Sequence, residues 1–258
     1  HIVTTFFYFI FFHKKLGFFR LILYFYKMIS VSKFIELYIE EFDSNYHSMY
    51  TSVKNMYISM YGKLEWFKFI YGINHSNKIE MSNYLIKWIT NNKLQAKFQV
   101  EQKKVLQNWE SLRVAKSKIG LKAHNQEYGS VKSSNIQLKG TSKLLPVGEH
   151  NEVSVHTDWL IGRLDKLIVL PNNYVKIEDL KTGDIKKQNF KEPANTFNSK
   201  VELQLNLYAH ILEQIGYIVQ EIYVIHRKPF GDIKLKIHYK KDYLSRVIND
   251  YKQNNKLI

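Results

Sequence analysis

Residues 162–183 read Gly162-Arg163-Leu164-Asp165-Lys166-Leu167-Ile168-Val169-Leu170-Pro171-Asn172-Asn173-Tyr174-Val175-Lys176-Ile177-Glu178-Asp179-Leu180-Lys181-Thr182-Gly183. Two apolar, β-branched runs, Trp159–Leu170 and Tyr174–Lys181, flank Pro171-Asn172-Asn173, so the stretch predicts two strands joined by a tight turn. Side chains alternate along a strand, which puts Asp179 and Lys181 on one face with Val175 and Ile177. A face that is apolar for two positions and then ends in an acid and a lysine is odd for a solvated edge. It is natural for a cleft at the end of a buried strand. Asp165 lies on the neighbouring strand, and hairpin-like pairing brings the two carboxylates together. In a chain without cysteine, such a pair suits a hard, oxygen-seeking cation such as Mg2+ or Mn2+. A lysine beside them can orient a water or stabilise charge developing on a phosphate. These are parts for phosphodiester hydrolysis, although a D-x-K tripeptide alone is far more often a surface lysine between strand-end acids.

Outward from this pair, Glu152–His156 is a shorter β-type run, and Thr182 to about Ser199 is a loop. Val201–Gly216 is an amphipathic helix with Leu203, Leu207, Ile211 and Ile215 near helical spacing. Ile218–Arg227 and Ile233–Tyr239 are two further strands, and Lys241–Lys252 is a closing helix. Upstream, residues 96–130 form a long helical stretch, followed by a polar loop over 130–148. Residues from Ser32 to about Trp88 are helical and rich in Tyr, Phe and Met. The order predicts an α/β fold with a mixed central β-sheet flanked by helices, preceded by an N-terminal helical region. The expected division is 1–27, 28–95 and 96–258.

The chain has 258 residues and is 45% hydrophobic and 24% charged, enough to bury a core and too apolar for a disordered chain. Its 38 Lys+Arg against 23 Asp+Glu give a formal charge of +15, which favours a polyanionic partner. Nearly all the basic residues are lysines. With the abundance of Asn, Ile, Tyr and Phe, that bias resembles AT-rich coding and tempers the charge argument. The absence of cysteine excludes disulfides, thiolate zinc sites, thiol nucleophiles and cysteine-bound iron–sulfur clusters. Residues 1–27 are dense in Phe and Tyr, begin with His1 and are split by His13-Lys14-Lys15, a poor membrane span and a poor leader. They are read as translated sequence outside the natural protein, with a membrane or interfacial segment and a packed first helix as the alternatives.

Four motifs in one order carry a family resemblance: Gly120-Leu121-Lys122-Ala123-His124, Gly162-x-x-Asp165, Asp179-Leu180-Lys181-Thr182-Gly183 and Gln204-Leu205-Asn206-Leu207-Tyr208. Over roughly residues 100–250 the chain resembles the PD-(D/E)XK nucleases of the RecB-like branch. Its closest flavour is the viral and phage-type exonucleases similar to the mitochondrial genome maintenance exonuclease. The resemblance implies a restriction-endonuclease-like sheet and a stand-alone, Mg2+- or Mn2+-dependent exodeoxyribonuclease using one or two ions. By it, Asp165, Asp179 and His124 are metal ligands, with the Leu180 carbonyl as a further one, and Lys181 is the catalytic lysine. Gln204 and Tyr208, four apart on one helical face, stand beside the site; plain helix packing is the alternative for Tyr208. Many relatives carry an acid four residues after the histidine; here Tyr128 stands there and Glu127 at three, so Glu127 is a support candidate only.

The other residues take plainer readings. Glu152, where relatives often carry a glutamate, is read as structural. His150, His156 and His226 lack mutual metal-ligand spacing and are read as strand or surface histidines. Arg227-Lys228 reaches a phosphate or is a solvated strand end, and the lysines from 97 to 122 are a DNA-facing ridge or a solvated face. The expected partner is DNA, single-stranded or at duplex ends, with no iron–sulfur cluster or small-molecule cofactor, no membrane role and an intracellular location. Two rival classes remain: an inactive nucleic-acid-binding module of the same fold, and a membrane-surface protein anchored by residues 1–27.

Overall fold

The computed structural model describes residues 28–40, 42–74, 77–128, 136–140 and 144–255; the readings of residues 1–27 lie outside them. The chain divides into two compact units. Among the described residues, one comprises those from Met28 up to Glu40 together with those from Gly120 onward, and the other those from Phe42 to Ile119.

The first unit is built on a mixed seven-stranded sheet with helices against it. Its strands are β1 (Ile29–Ser30), β2 (Gln137–Lys139), β3 (Gly148–His156), β4 (Leu160–Val169), β5 (Tyr174–Lys181), β6 (Ile218–Lys228) and β7 (Gly231–Ile237). They lie in the order β2-β3-β4-β5-β6-β7, with β1 paired to the start of β4. The β3–β4, β4–β5 and β6–β7 pairs are antiparallel, and β5–β6 is parallel. The α/β class, the mixed sheet and the flanking helices are as the sequence predicts. The turn between β4 and β5 is the Pro171-Asn172-Asn173 element, with Asn172 and Asn173 at φ of 60° and 62°. Asparagine tolerates that left-handed conformation better than most residues.

A parallel pair needs a crossover, here an α-helix over Lys200–Ile215. Ser199 opens it by accepting a hydrogen bond from the Glu202 N–H, and Gly216 closes it at φ 109°. Leu203, Leu207 and Ile211 are fully buried, as their spacing predicts, and so are Leu205 and Leu212. The closing helix, Lys241–Asn254, adds Leu244, Val247 and Ile248 to the same core.

The helix Val31–Tyr38, hereafter α1, belongs to this core and not to a separate N-terminal helical region. Phe34 is fully buried and meets the rings of Tyr38, Trp159 and Tyr251. Two strands depart from the sequence reading. β1 and β2 span two and three residues, too short to show a period, yet Leu138 of β2 is 1% exposed.

The second unit contains α2 (Ser44–Tyr61), α3 (Lys63–Ile70) and α4 (Lys78–Asn91). Trp66, Val53, Met81 and Leu85 form its core, ringed by Tyr50, Tyr57 and Phe69. A long helix, α5 (Gln95–Tyr128), continues from this unit into the first, so the expected boundary at 95/96 falls at its start and not between the units. With these labels the crossover helix is α6 and the closing helix α7.

Candidate active site

β4 and β5 stay paired as far as Lys166 and Glu178 and then separate. β5 remains bonded to β6 through Lys181, while the start of β4 takes β1 as its partner at Leu160 and Ile161. Asp165 stands at the fork. Its Oδ2 accepts a hydrogen bond from the Leu180 N–H at 2.8 Å, so the carboxylate occupies a ladder position that β4 has left. Its Oδ1 lies 3.0 Å from His124 Nε2. His124 comes from the last turns of α5, where Gly120 passes close to Thr182: a Cβ there would sit 3.4 Å from Thr182 Oγ1.

Glu152 completes the group. The pairs Asn151↔Lys166 and Val153↔Leu164 place it directly across from Asp165. Its backbone adopts φ 56°, rare inside a strand for any residue but glycine, and there the buried face of β3 slips from even to odd positions. The distortion turns a strand glutamate into the interior, 1% exposed, with Oε1 3.1 Å from His124 Nε2 and Oε2 3.5 Å from Arg163 Nη1. Burial raises the Glu152 pKa, and the Asp165 charge raises it further against the pull of His124 and Arg163. Donor atoms of His124, Glu152 and Asp165 all lie within 4.8 Å of one another, a set able to hold a cation.

Asp179 points to the same region but is held differently. It is 1% exposed and ion-paired with Lys181. Burial raises its pKa, opposed by the Lys181 charge and reinforced by that of Asp165. Burial pulls the Lys181 pKa down, and Asp179 and Asp165 outweigh it, leaving the value raised and the ammonium charged. The Lys181 side chain keeps 28% exposure, so it stays open to solvent or a ligand.

Tyr208 packs where Gly162 leaves space: a Cβ at position 162 would lie 2.3 Å from Tyr208 Cε1 and 3.0 Å from Val31 Cγ2. Gln204 Nε2 donates to the Tyr208 hydroxyl at 3.0 Å. The hydroxyl is held protonated by burial, with the Asp179 and Asp165 charges adding to the shift. Glu127 turns outward to Arg227 at 2.9 Å, and Arg227 also binds Asp232. Lys228 pairs with Asp184.

No family model and no curated protein matches this chain. Among solved structures, that of SSO0001 aligns over 89% of this chain and 76% of its own at 10% identity, with a TM-score of 0.30. No helix among the described residues is long and apolar enough to cross a membrane.

The structure thus brings His124, Asp165, Asp179, Leu180 and Lys181 to one fork of the sheet, with Tyr208 and Gln204 alongside. Glu127 is drawn to Arg227 instead of the cluster. Glu152, read as structural from the sequence, supplies one of the three converging donors. The signal available was its place thirteen residues before Asp165 on the preceding strand, a spacing meaningful only once the register is known.

Proposed function

We propose that the chain is a metal-dependent deoxyribonuclease, a stand-alone exonuclease hydrolysing phosphodiester bonds, in line with its resemblance to the RecB-like PD-(D/E)XK nucleases. One observation supports this above the rest: His124, Glu152 and Asp165 converge at the fork where Lys181 emerges. The donors fit Mg2+ or Mn2+, since two are carboxylates, one is an imidazole and none is a thiolate. Two carboxylates facing one another across a ladder repel, and a divalent cation between them relieves that cost. An ion held there supplies Lewis-acid activation of the attacking water and of the phosphate.

The remaining roles fall to the chain's own groups. Asp165, fixed by the Leu180 N–H and His124, is oriented before any ligand arrives. Lys181, anchored by Asp179, presents an ammonium to the phosphate, where negative charge grows as water attacks phosphorus and the ester oxygen leaves. Tyr208, hydrogen-bonded to Gln204, packs against β4 at Gly162 beside these groups. The positive charge of the chain favours binding to a polyanion on any sequence.

The test is the purified full chain on end-labelled linear and on circular DNA, single- and double-stranded, with Mg2+, Mn2+ or EDTA. Metal-dependent release of labelled mononucleotides or short oligomers from ends supports the reading. Linearised circles would replace the exonuclease by an endonuclease. Binding that persists in EDTA, with no cleavage under any metal, would replace the enzyme by a binding module.

A further inference from the structure

His226 of β6 is in register with Lys181 of β5, and paired residues of a parallel ladder point to the same face. The burial pattern agrees: Ile222, Val224 and His226 are the buried positions of β6, opposite Ile177, Asp179 and Lys181. On its other side His226 is paired with Ile233 of β7, which offers no polar group. The imidazole is 7% exposed, and its Nε2 is enclosed with no hydrogen-bond partner among the described residues. A buried polar atom left unpaired costs about 1–3 kcal/mol. An imidazole carrying that cost, one strand over from Lys181 on the same face, is a polar group poised for a ligand that reaches Lys181.

We propose that His226 is a substrate-contacting residue of this site, its Nε2–H donating to a non-bridging oxygen of the phosphodiester held beside Lys181. The proposal rests on the nuclease reading and extends it. Neighbouring strands lie about 4.8 Å apart, so donors on β5 and β6 can straddle one phosphate group and grip two of its oxygens. Lys181 then supplies charge while His226 supplies direction, which a flexible ammonium does poorly. An imidazole N–H can serve here, and a glutamine amide can reach a similar point.

The experiment is a cycle between His226→Leu and single-atom changes in the substrate, using the full chain. DNA carrying one stereopure phosphorothioate at the cleaved bond replaces either non-bridging oxygen by sulfur. His226→Leu should slow cleavage of ordinary DNA by on the order of 10²-fold while leaving affinity within a few-fold and the melting temperature at or above that of the parent. His226→Gln should recover most of that rate. One phosphorothioate diastereomer should slow the parent protein clearly more than it slows His226→Leu, because the variant has already lost the contact. Equal sulfur effects in parent and variant overturn the proposal, with the nuclease reading intact. Should His226→Leu fail to fold, the same comparison with His226→Gln and His226→Asn decides: the sulfur effect survives in Gln and shrinks in Asn. A parent chain that cuts no DNA with Mg2+ or Mn2+ overturns the nuclease reading, and the role of His226 with it.

Discussion

Glu152 and Asp165 face each other across the β3–β4 ladder and share one imidazole nitrogen, with His124 Nε2 3.1 Å from the first and 3.0 Å from the second. Like charges directly opposite in a ladder are destabilising, and here one of them is buried at a positive φ. A chain that needed only a stable sheet at this point would place an apolar residue at 152. On the proposed reading, a divalent cation joining the group offsets this cost.

Glu152→Gln should therefore separate stability from metal binding. The amide keeps the shape and removes the repulsion, so the metal-free variant should melt at or above the parent temperature. The rise in melting temperature on adding Mn2+ should shrink, because binding to the folded state alone stabilises it. Loss of a direct donor should weaken the metal by at least the roughly 10- to 100-fold typical of outer-sphere partners. Titration calorimetry with Mn2+ measures this directly. An unchanged Mn2+ affinity would return Glu152 to a structural role.

Lys181 separates enzyme from binding module. An interaction that strengthens only in the transition state raises turnover without tightening substrate binding. Lys181→Ala should lower cleavage by about 10²–10³-fold and leave DNA affinity within a few-fold, since many other lysines supply nonspecific attraction. Lys176 points to the other face of β5 and is paired with Glu221. Lys176→Ala is the matched control and should alter neither quantity. Single-turnover cleavage and filter binding on one substrate read both. Undiminished cleavage by Lys181→Ala would falsify the assignment of the D-x-K motif.

Much of this site is legible in the sequence because its chemistry sits on strand ends, where alternation and turn residues fix the face. Asp165, Asp179 and Lys181 follow from two strands and a Pro-Asn-Asn turn. Glu152 does not, because its direction depends on a local backbone reversal that no periodicity encodes. His226 does not either, since its neighbour Lys181 is forty-five positions away and meets it only through a parallel crossover. The placement of α1 in the sheet unit was hidden for a different reason. Val31, Phe34 and Ile35 show a helical apolar stripe, but a stripe does not say which core it faces. Glu127 shows the converse: a plausible spacing from His124, overruled by the stronger attraction of a guanidinium, which also holds Asp232.

Tyr38 ties α1 to the closing helix, its hydroxyl donating to Asp250 Oδ2 at 2.7 Å and lying 3.1 Å from the Val247 carbonyl. Burial raises the phenol pKa, and the Asp250 hydrogen bond and charge raise it further. A pKa raised on folding gives stability that is fully present below the unfolded tyrosine value of about 10 and is lost as pH climbs towards the folded one. The parent should therefore lose stability above about pH 10. Tyr38→Phe should cost about 1–2 kcal/mol at neutral pH and decline less steeply in alkali. The slope does not vanish, because Tyr239 and Tyr251 are shifted in the same direction. Urea unfolding on both sides of pH 10 compares the two chains. Parallel pH curves would show that the Tyr38 hydroxyl gains nothing from Asp250.

Gly162 and Tyr208 make the sharpest packing prediction. Position 162 has no positive φ to demand glycine; what it lacks is room, since a Cβ would fall 2.3 Å from Tyr208 Cε1 and 3.0 Å from Val31 Cγ2. Real Cβ atoms do not approach that closely, so Gly162→Ala must push the Tyr208 ring or bend β4. The ring is 4% exposed and its hydroxyl is fixed by Gln204, leaving little freedom to move. Overpacking of this kind costs roughly 1–3 kcal/mol. Bending β4 would also shift Asp165, three residues on, so Mn2+ affinity should fall along with stability. Tyr208→Leu removes the ring edge and leaves a cavity, costing stability for a different reason. In the double variant each change relieves the other, so the combined loss should be smaller than the sum of the single losses by about 1 kcal/mol or more. Denaturant melts of the four chains, each with and without Mn2+, measure the coupling in stability and in metal binding together. Strictly additive losses would mean that Gly162 is required for a reason other than the approach of Tyr208.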